Sequence, residues 1–211
     1  MGKQFSNSTP FKVSYRGKEI AEIFMILSPE MKQKNLVWID LEMTGLDHTK
    51  DKILEIATLV TDANLNILNE APTFYISQPQ SIIDNMDEWN SKHHSDSGLL
   101  DLIRTKGVCE KHAETGVLEA ITPYIIPGVS PLCGNSIWQD RRFLERYMPE
   151  LNNIFHYRNV DVSSVKELVR RWFPEIAIEL KKNGAHRALE DIKESIMELR
   201  YYRDKCFKLN L

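Results

Sequence analysis

The sequence predicts an α/β chain, with a mixed sheet that contains an antiparallel meander and is flanked by helices. Three observations predict it. Three strand-like segments follow one another closely, Leu36-Val37-Trp38-Ile39, Ile53 to Thr61 and Ile67 to Ser77, and connections that short imply antiparallel pairing. Helical periodicity dominates afterwards. Two further short apolar segments, Ser130 to Cys133 and Val160-Asp161-Val162, alternate with helical stretches, as strands and helices do in a packed α/β layer structure.

Taken in order, residues 1–34 mix Ser, Thr, Pro and Lys with one short apolar segment and read as a weakly ordered N-terminal extension. A docked helix over Ile20 to Leu27 is the alternative, and Met31 is a possible start in the cell. Residues 35–211 carry the strong patterning and form one domain. Leu36 to Ile39 is short, apolar and rich in strand formers. Asp62-Ala63-Asn64 is the turn between the second and third strands. Helical patterns follow at about 82–90, 95–106 and 111–125. Pro and Gly punctuate both sides of the Ser130 to Cys133 strand. A helix beginning near Trp138 carries the apolar stripe Phe143, Leu144 and Tyr147 and stops at Pro149. Ser163 or Ser164 is the expected N-cap of the next helix, with Glu167 in its first turn. The last helix runs from about Arg187 to Lys205.

Composition narrows the class. The chain has 211 residues, 42% hydrophobic and 27% charged, as an ordinary globular protein does. A formal charge of −3 and a pI near 6.1 argue against coating long nucleic acid by bulk charge. They leave room for very short nucleic acid, where few phosphates need neutralising. Three cysteines without metal-like spacing read as reduced thiols. With no apolar run near the length of a membrane span and no basic segment before Ile23 to Leu27, the sequence favours the cytoplasm.

The chemistry-bearing feature is the placement of acids. Asp40 and Glu42 sit two apart at the end of the first strand, so their side chains project from one face. Their mutual repulsion makes sense if a divalent cation lies between them, and hard oxygen donors suit Mg²⁺ or Mn²⁺. Asp140 follows Gly134-Asn135-Ser136 at a second strand-to-helix junction. The third block is His186-Arg187-Ala188-Leu189-Glu190-Asp191. His186 and Asp191 lie roughly 140° apart on an ideal helix, so the arrangement works better with Asp191 on the helix and His186 in the loop entering it. Glu190 points away from Asp191 and reads as solvated. His48, His93 and His112 read as cap or surface residues. Arg141, Arg142, Arg170 and Arg171 read as solvated faces or as salt bridges in a dimer.

These blocks resemble the three exonuclease motifs of the DEDD superfamily, in the subclass with a catalytic histidine, and are most similar to the oligoribonuclease family. The resemblance runs through Asp40-Leu41-Glu42-Met43-Thr44-Gly45-Leu46, Cys133-Gly134-Asn135-Ser136, Gln139 to Leu144, His156-Tyr157-Arg158, Asp161-Val162-Ser163 and His186 to Leu189. It implies an RNase H-like fold over residues 35–211 and a metal-dependent 3′-to-5′ exoribonuclease. Asp40, Glu42, Asp140 and Asp191 would hold two Mg²⁺ or Mn²⁺ ions, and His186 would be the general base. The implied substrate is very short RNA, of two to about five nucleotides. Leu46 would wedge between the bases of a dinucleotide, Trp89 and His94 would line the base pocket, and Ser136, Arg158 and Ser163 would cap the 5′ phosphate. The implied assembly is a homodimer in which Tyr157 completes the partner's site. An exonuclease of longer strands and a non-enzymatic binding module on the same fold are the competing expectations.

Overall fold

The computed structural model describes residues 27–178 and 187–207, together with the backbone of two short paired strands, β1 (Ser14–Tyr15) and β2 (Lys18–Glu19). The expected catalytic His186 lies outside the described residues. So does the alternative helix over Ile20 to Leu27, apart from Leu27 itself. A single turn, α1 (Pro29–Lys32), is capped by Ser28 and leads into the main sheet.

That sheet is built on β3 (Leu36–Met43) and β4 (Ile53–Thr61), which pair antiparallel with Trp38 opposite Leu59, Asp40 opposite Ala57 and Glu42 opposite Glu55. β5 (Ile67–Glu70) and β6 (Phe74–Tyr75) pair one after the other along the far side of β4, also antiparallel. β7 (Leu132–Gly134) lies parallel to β3, and β8 (Asn159–Asp161) parallel to β7. The meander and the mixed sheet are as the sequence predicts. The expected single strand from Ile67 to Ser77 is instead split. Pro72 has no N–H to give to a ladder, and the chain leaves the strand between Glu70 and Phe74.

The helices depart from expectation in phase. In place of 82–90 and 95–106 the chain forms α2 (Gln80–Ile83), α3 (Glu88–Asp96) and α4 (Leu99–Lys106). Asp87 accepts a hydrogen bond from the Asn90 N–H at 2.7 Å and so starts a helix where periodicity alone saw an end. Gly98, at φ 72°, breaks the next one. α5 (Glu110–Ile121) is followed by a 3-10 turn over Thr122–Tyr124. α6 (Ile137–Tyr147) stops before Pro149, which opens α7 (Pro149–Asn153). α8 (Val162–Trp172), α9 (Pro174–Ile178) and α10 (Ala188–Cys206) complete the described fold.

Strand alternation sorts the side chains of β3 into two layers. Val37, Ile39 and Leu41 enter a core with Val117 and Ile121 of α5, Phe143 and Leu144 of α6, and Leu151 of α7. Trp38 enters the opposite core with Ala57, Leu59, Val162 and Val169 of α8, and Ile192, Ile196 and Tyr202 of α10. Asp40 and Glu42 continue the Trp38 row. At that end of the sheet α10 begins, so the carboxylates meet the first turn of a helix instead of more core.

Candidate active site

Each acid is placed by its element. Asp40 and Glu42 share a face of β3. A register shift between Glu42 and Met43 ends the regular ladder there, a device common beside functional sites because it re-aims side chains. Asp191 stands in the first turn of α10. A ligand oxygen from each of Asp40, Glu42 and Asp191 lies within 4.8 Å of the others. Asp140, buried in the first turn of α6, accepts the Leu41 N–H at 3.0 Å, which ties α6 to β3 between Asp40 and Glu42.

The electrostatics are those of crowded, desolvated carboxylates. Burial first, then the charges of Asp140, Glu42, Asp191 and Glu55, push Asp40 well above the usual range. Glu42 is pushed up to about 8 by burial, then by Glu55, Asp191 and Asp140, and Arg187 only partly offsets this. Burial raises Asp140 to about 7 against the Leu41 N–H, which favours its charged form. Such a set of hard oxygen donors, held close and short of positive charge, fits a divalent cation, which would favour all the ionised forms at once.

The sequence reading passed over Glu55, whose side chain is 1% exposed. It lies opposite Glu42 on one side and Tyr75 on the other. Arg187 meets both its oxygens, at 3.1 and 3.3 Å, and donates to the Tyr75 hydroxyl at 3.1 Å. The ion pair thus anchors the start of α10 to the sheet, one residue from His186. A charge inside the apolar run Ile53-Leu54-Glu55-Ile56-Ala57 was the available signal, since buried Glu is rare without a partner. Glu190 is exposed and pairs with Lys193 at 3.3 Å, as its helical phase predicts.

The remaining expected residues fall around this centre. Leu46 is 71% exposed at the tip of the turn after β3. The turn is closed by Asp51, which accepts from the Thr44 hydroxyl at 3.1 Å and the Asp47 N–H at 2.9 Å. A Cβ at position 45 would lie 2.5 Å from an Asp51 oxygen, so any residue but glycine has to push that carboxylate out of its place in the turn. His94 is buried, with Nε2 2.8 Å from the Met43 carbonyl and Nδ1 3.8 Å from Glu42, and burial lowers its pKa. Trp89 is 67% exposed on the same helix. His93, expected as a cap or surface residue, lies parallel to the Trp89 ring at 4.7 Å and offers a nitrogen within 4.8 Å of Glu42 and His94.

Ser136 and Ser163 come together, their hydroxyls 3.0 Å apart. Ser136 sits at φ 51° before α6, a conformation that costs about 1 kcal/mol or more outside glycine. Its N–H donates to Ser163 Oγ at 2.7 Å and to Asp161 Oδ1 at 3.0 Å. Asp161 also accepts the Ser163 N–H at 2.9 Å. The cap of α8 is therefore Asp161, where the sequence suggested Ser163 or Ser164. A carboxylate two residues earlier does that work, and the Ser163 hydroxyl is left to face Ser136. Tyr157 and Arg158 lie on the exposed segment between α7 and β8, with the guanidinium 5.1 Å over the ring. Arg141, expected at a solvated face or in a dimer salt bridge, holds this segment by donating to the His156 carbonyl at 2.8 Å and Asn159 Oδ1 at 2.6 Å.

The family model described as Exonuclease matches residues 37–199. The oligoribonuclease of Shewanella loihica is 56% identical over 177 residues, covering 84% of this chain and 98% of that protein. That of Shewanella oneidensis is 54% identical over 175 residues, covering 83% and 97%. The chain belongs to the oligoribonuclease family. It is accordingly a divalent-metal-dependent 3′-to-5′ exoribonuclease, a phosphodiester hydrolase. Solved exonuclease I structures share the fold at low identity. The enzyme from Methylocaldum szegediense aligns with a TM-score of 0.64 and 20% identity over 82% of this chain. The zinc-bound E. coli exonuclease I–ssDNA complex aligns with a TM-score of 0.66 and 15% identity over 83%. The chain spans about two fifths of the length of those structures, 41% and 42%. Among the described residues no helix is long and apolar enough to cross a membrane.

Proposed function

We propose that this oligoribonuclease family member degrades very short RNA, dinucleotides above all, to nucleoside 5′-monophosphates, as a cytoplasmic homodimer whose catalytic domain is residues 35–211. The observation that carries the short-substrate reading is the meeting of Ser136 and Ser163 where α6 and α8 begin. The two hydroxyls can turn their protons to an incoming phosphate oxygen, a stronger acceptor than either hydroxyl, and a terminal phosphate held there limits how much chain fits between it and the acids. Arg158, by its place in the matching motif, would add a charge-assisted hydrogen bond to that phosphate.

Two Mg²⁺ or Mn²⁺ ions held by Asp40, Glu42, Asp140 and Asp191 would activate the attacking water and stabilise charge on the departing 3′ oxygen. His186 would take the proton of the attacking water as the new P–O bond forms and the bond to the 3′ oxygen breaks, and the departing oxygen takes its proton from solvent. An ordinary imidazole near pKa 6.5 suits that task at neutral pH. Leu46, exposed at its rigid turn, separates the two bases. Trp89, already stacked on His93, offers a surface that accepts any base, and His94 holds the adjoining wall against Glu42. Tyr157, at 73% exposure, is free to reach a partner's site.

The test is a time course on 5′-labelled RNAs of two to about ten nucleotides, with Mg²⁺ and with EDTA, for wild type and Asp140→Ala. Metal-dependent cleavage fastest on the dinucleotide and lost in the variant is the expected result. Equal or faster cleavage of the longer strands would instead mark a general exonuclease.

A further inference from the structure

The pocket formed by Ser136 and Ser163 is not isolated from the acids. Asn135, which precedes Ser136 at the end of β7, stands between them. The Ser163 hydroxyl donates to Asn135 Oδ1 at 3.3 Å. Asn135 Nδ2 donates to Ser195 Oγ at 2.7 Å and to Glu198 Oε2 at 3.3 Å. The Ser195 hydroxyl donates in turn to the Asp191 carbonyl at 2.8 Å, one turn back along α10. A continuous run of hydrogen bonds therefore leads from Ser163 to the backbone of Asp191.

The far side of this run is rigid. Ser195 and Glu198 are buried. Glu198 is held by the Tyr202 hydroxyl and by Lys166, each at 2.8 Å. The near side can change state. A serine hydroxyl has one proton, and the Ser163 proton has only uncharged acceptors within reach, Asn135 Oδ1 at 3.3 Å and Ser136 Oγ at 3.0 Å, where either hydroxyl can donate. A phosphate oxygen is the stronger acceptor. When a 5′ phosphate enters, the Ser163 proton turns to it and Asn135 Oδ1 loses its donor. The Asn135 amide then seats differently on Ser195, which holds the helix turn carrying Asp191. A serine bonded to the carbonyl four residues back is a point where a helix bends readily.

We infer that Asn135 and Ser195 are positioning residues that transmit occupancy of the 5′-phosphate pocket to Asp191, so that the terminal phosphate raises turnover and not only affinity. The inference rests on the proposed reading of Ser136 and Ser163 as the phosphate pocket. A chain of this kind has a measurable consequence, since a physical link between two sites is shown only by the change in one when the other is altered.

The experiment compares a 5′-phosphorylated dinucleotide with the same dinucleotide carrying a 5′ hydroxyl, at saturating Mn²⁺, for wild type, Ser195→Ala and Ser163→Ala. In wild type the phosphate raises kcat by at least about fivefold, the lower end of ordinary coupling between sites, and lowers KM. In Ser195→Ala the kcat ratio falls to near one while the KM advantage stays. In Ser163→Ala both are reduced. Asn135→Ala breaks the same run from the other side and takes the place of Ser195→Ala if that variant does not fold. A Ser195→Ala enzyme that keeps the full kcat ratio overturns the relay. A wild-type effect confined to KM also overturns it but leaves the pocket standing. No phosphate effect on either constant in wild type overturns the pocket and the relay together.

Discussion

At the scale of single residues, the carboxylates are held against their own preference. Glu42 at about 8 and Asp140 at about 7 stand well above their ordinary 4.5 and 3.8, with burial the main cause. The sign of the consequence follows from proton counts. Between the ordinary and the raised value the folded state holds protons that the unfolded chain has released, so metal-free stability falls as pH rises across that window. The metal-free protein is therefore expected to melt at lower temperature at pH 8 than at pH 5. Asp140→Asn removes one of the crowded charges and flattens that decline. By differential scanning calorimetry in EDTA it should melt higher than wild type at pH 8, at roughly 2–4 °C per kcal/mol for a chain of this size. Its hydrolytic rate should fall by more than about a hundredfold, because metal chemistry supplies several kcal/mol of the barrier reduction. Mn²⁺ should raise the melting temperature of wild type much more than that of the variant, since an ion bound only to the native state stabilises it. An Asp140→Asn variant no more stable than wild type at pH 8 without metal would mean that crowding there is relieved in some other way. The pair Asp40 and Glu42 could be read directly from the chain because strand alternation is fixed by backbone geometry. For Glu55 the apolar run signalled burial but not the partner, because which charge meets it depends on a helix more than a hundred residues away.

At the scale of elements, the site is an agreement between one strand end and two helix starts. β3 contributes its Trp38–Asp40–Glu42 row, and the first turns of α6 and α10 contribute Asp140 and Asp191. Each of these placements was legible, since helix starts and strand ends carry local signals in Gly134-Asn135-Ser136 and in the block after His186. What fixes α10 in height and rotation was not legible. It is the two-point contact of Arg187 with Glu55, backed by the Tyr75 hydroxyl. Arg187→Met should leave a buried Glu55 carboxylate without its ion partner, a loss of about 3–5 kcal/mol for buried pairs broken on one side. With Arg187 gone, the already raised Glu55 moves further up. The loss relative to wild type is then small where Glu55 is protonated in both folded proteins and grows as pH rises past the raised value that Glu55 has in wild type. Urea melts of Arg187→Met at pH 5 and pH 8, with Arg187→Met/Glu55→Gln beside it, would check this. The double variant should recover much of the loss at pH 8. If it is as unstable as the single variant, the pair acts through packing and not through charge. The phase errors in α2, α3 and α4 have a related cause, since Asp87 and Gly98 decide the helix ends while the apolar spacing on either side runs on through them.

At the scale of the whole molecule, the sheet separates two cores and leaves its chemistry at one end, while the surface beside the Ser136–Ser163 pocket carries exposed apolar side chains. Leu168 and Trp172, one turn apart on α8, and Trp138 on α6 are all exposed in the single chain. Leu168 and Trp138 line the same 420 Å³ hollow, beside Asp161 and Ser163. Large exposed apolar residues grouped in this way mark contact surfaces, and Tyr157 projects from the neighbouring segment that Arg141 pins. If the proposed homodimer lends Tyr157 to its partner's site, a subunit that lacks its own Tyr157 is not impaired by that loss. Only its partner is. Tyr157→Ala and Asp140→Ala homodimers should each be nearly inactive on the dinucleotide. A subunit with Asp140 intact but Tyr157 replaced, paired with one that has Tyr157 but lacks Asp140, contains one complete site. With random exchange, half of the dimers are mixed and each has one working site of two, so mixing equal amounts should restore about a quarter of wild-type activity in a two-fold dimer. The check is an activity assay before and after co-refolding the two variants, with the mixed dimer isolated by tags. Mixed dimers no more active than their parents would show that Tyr157 serves its own subunit, or that the sites are complete within single chains.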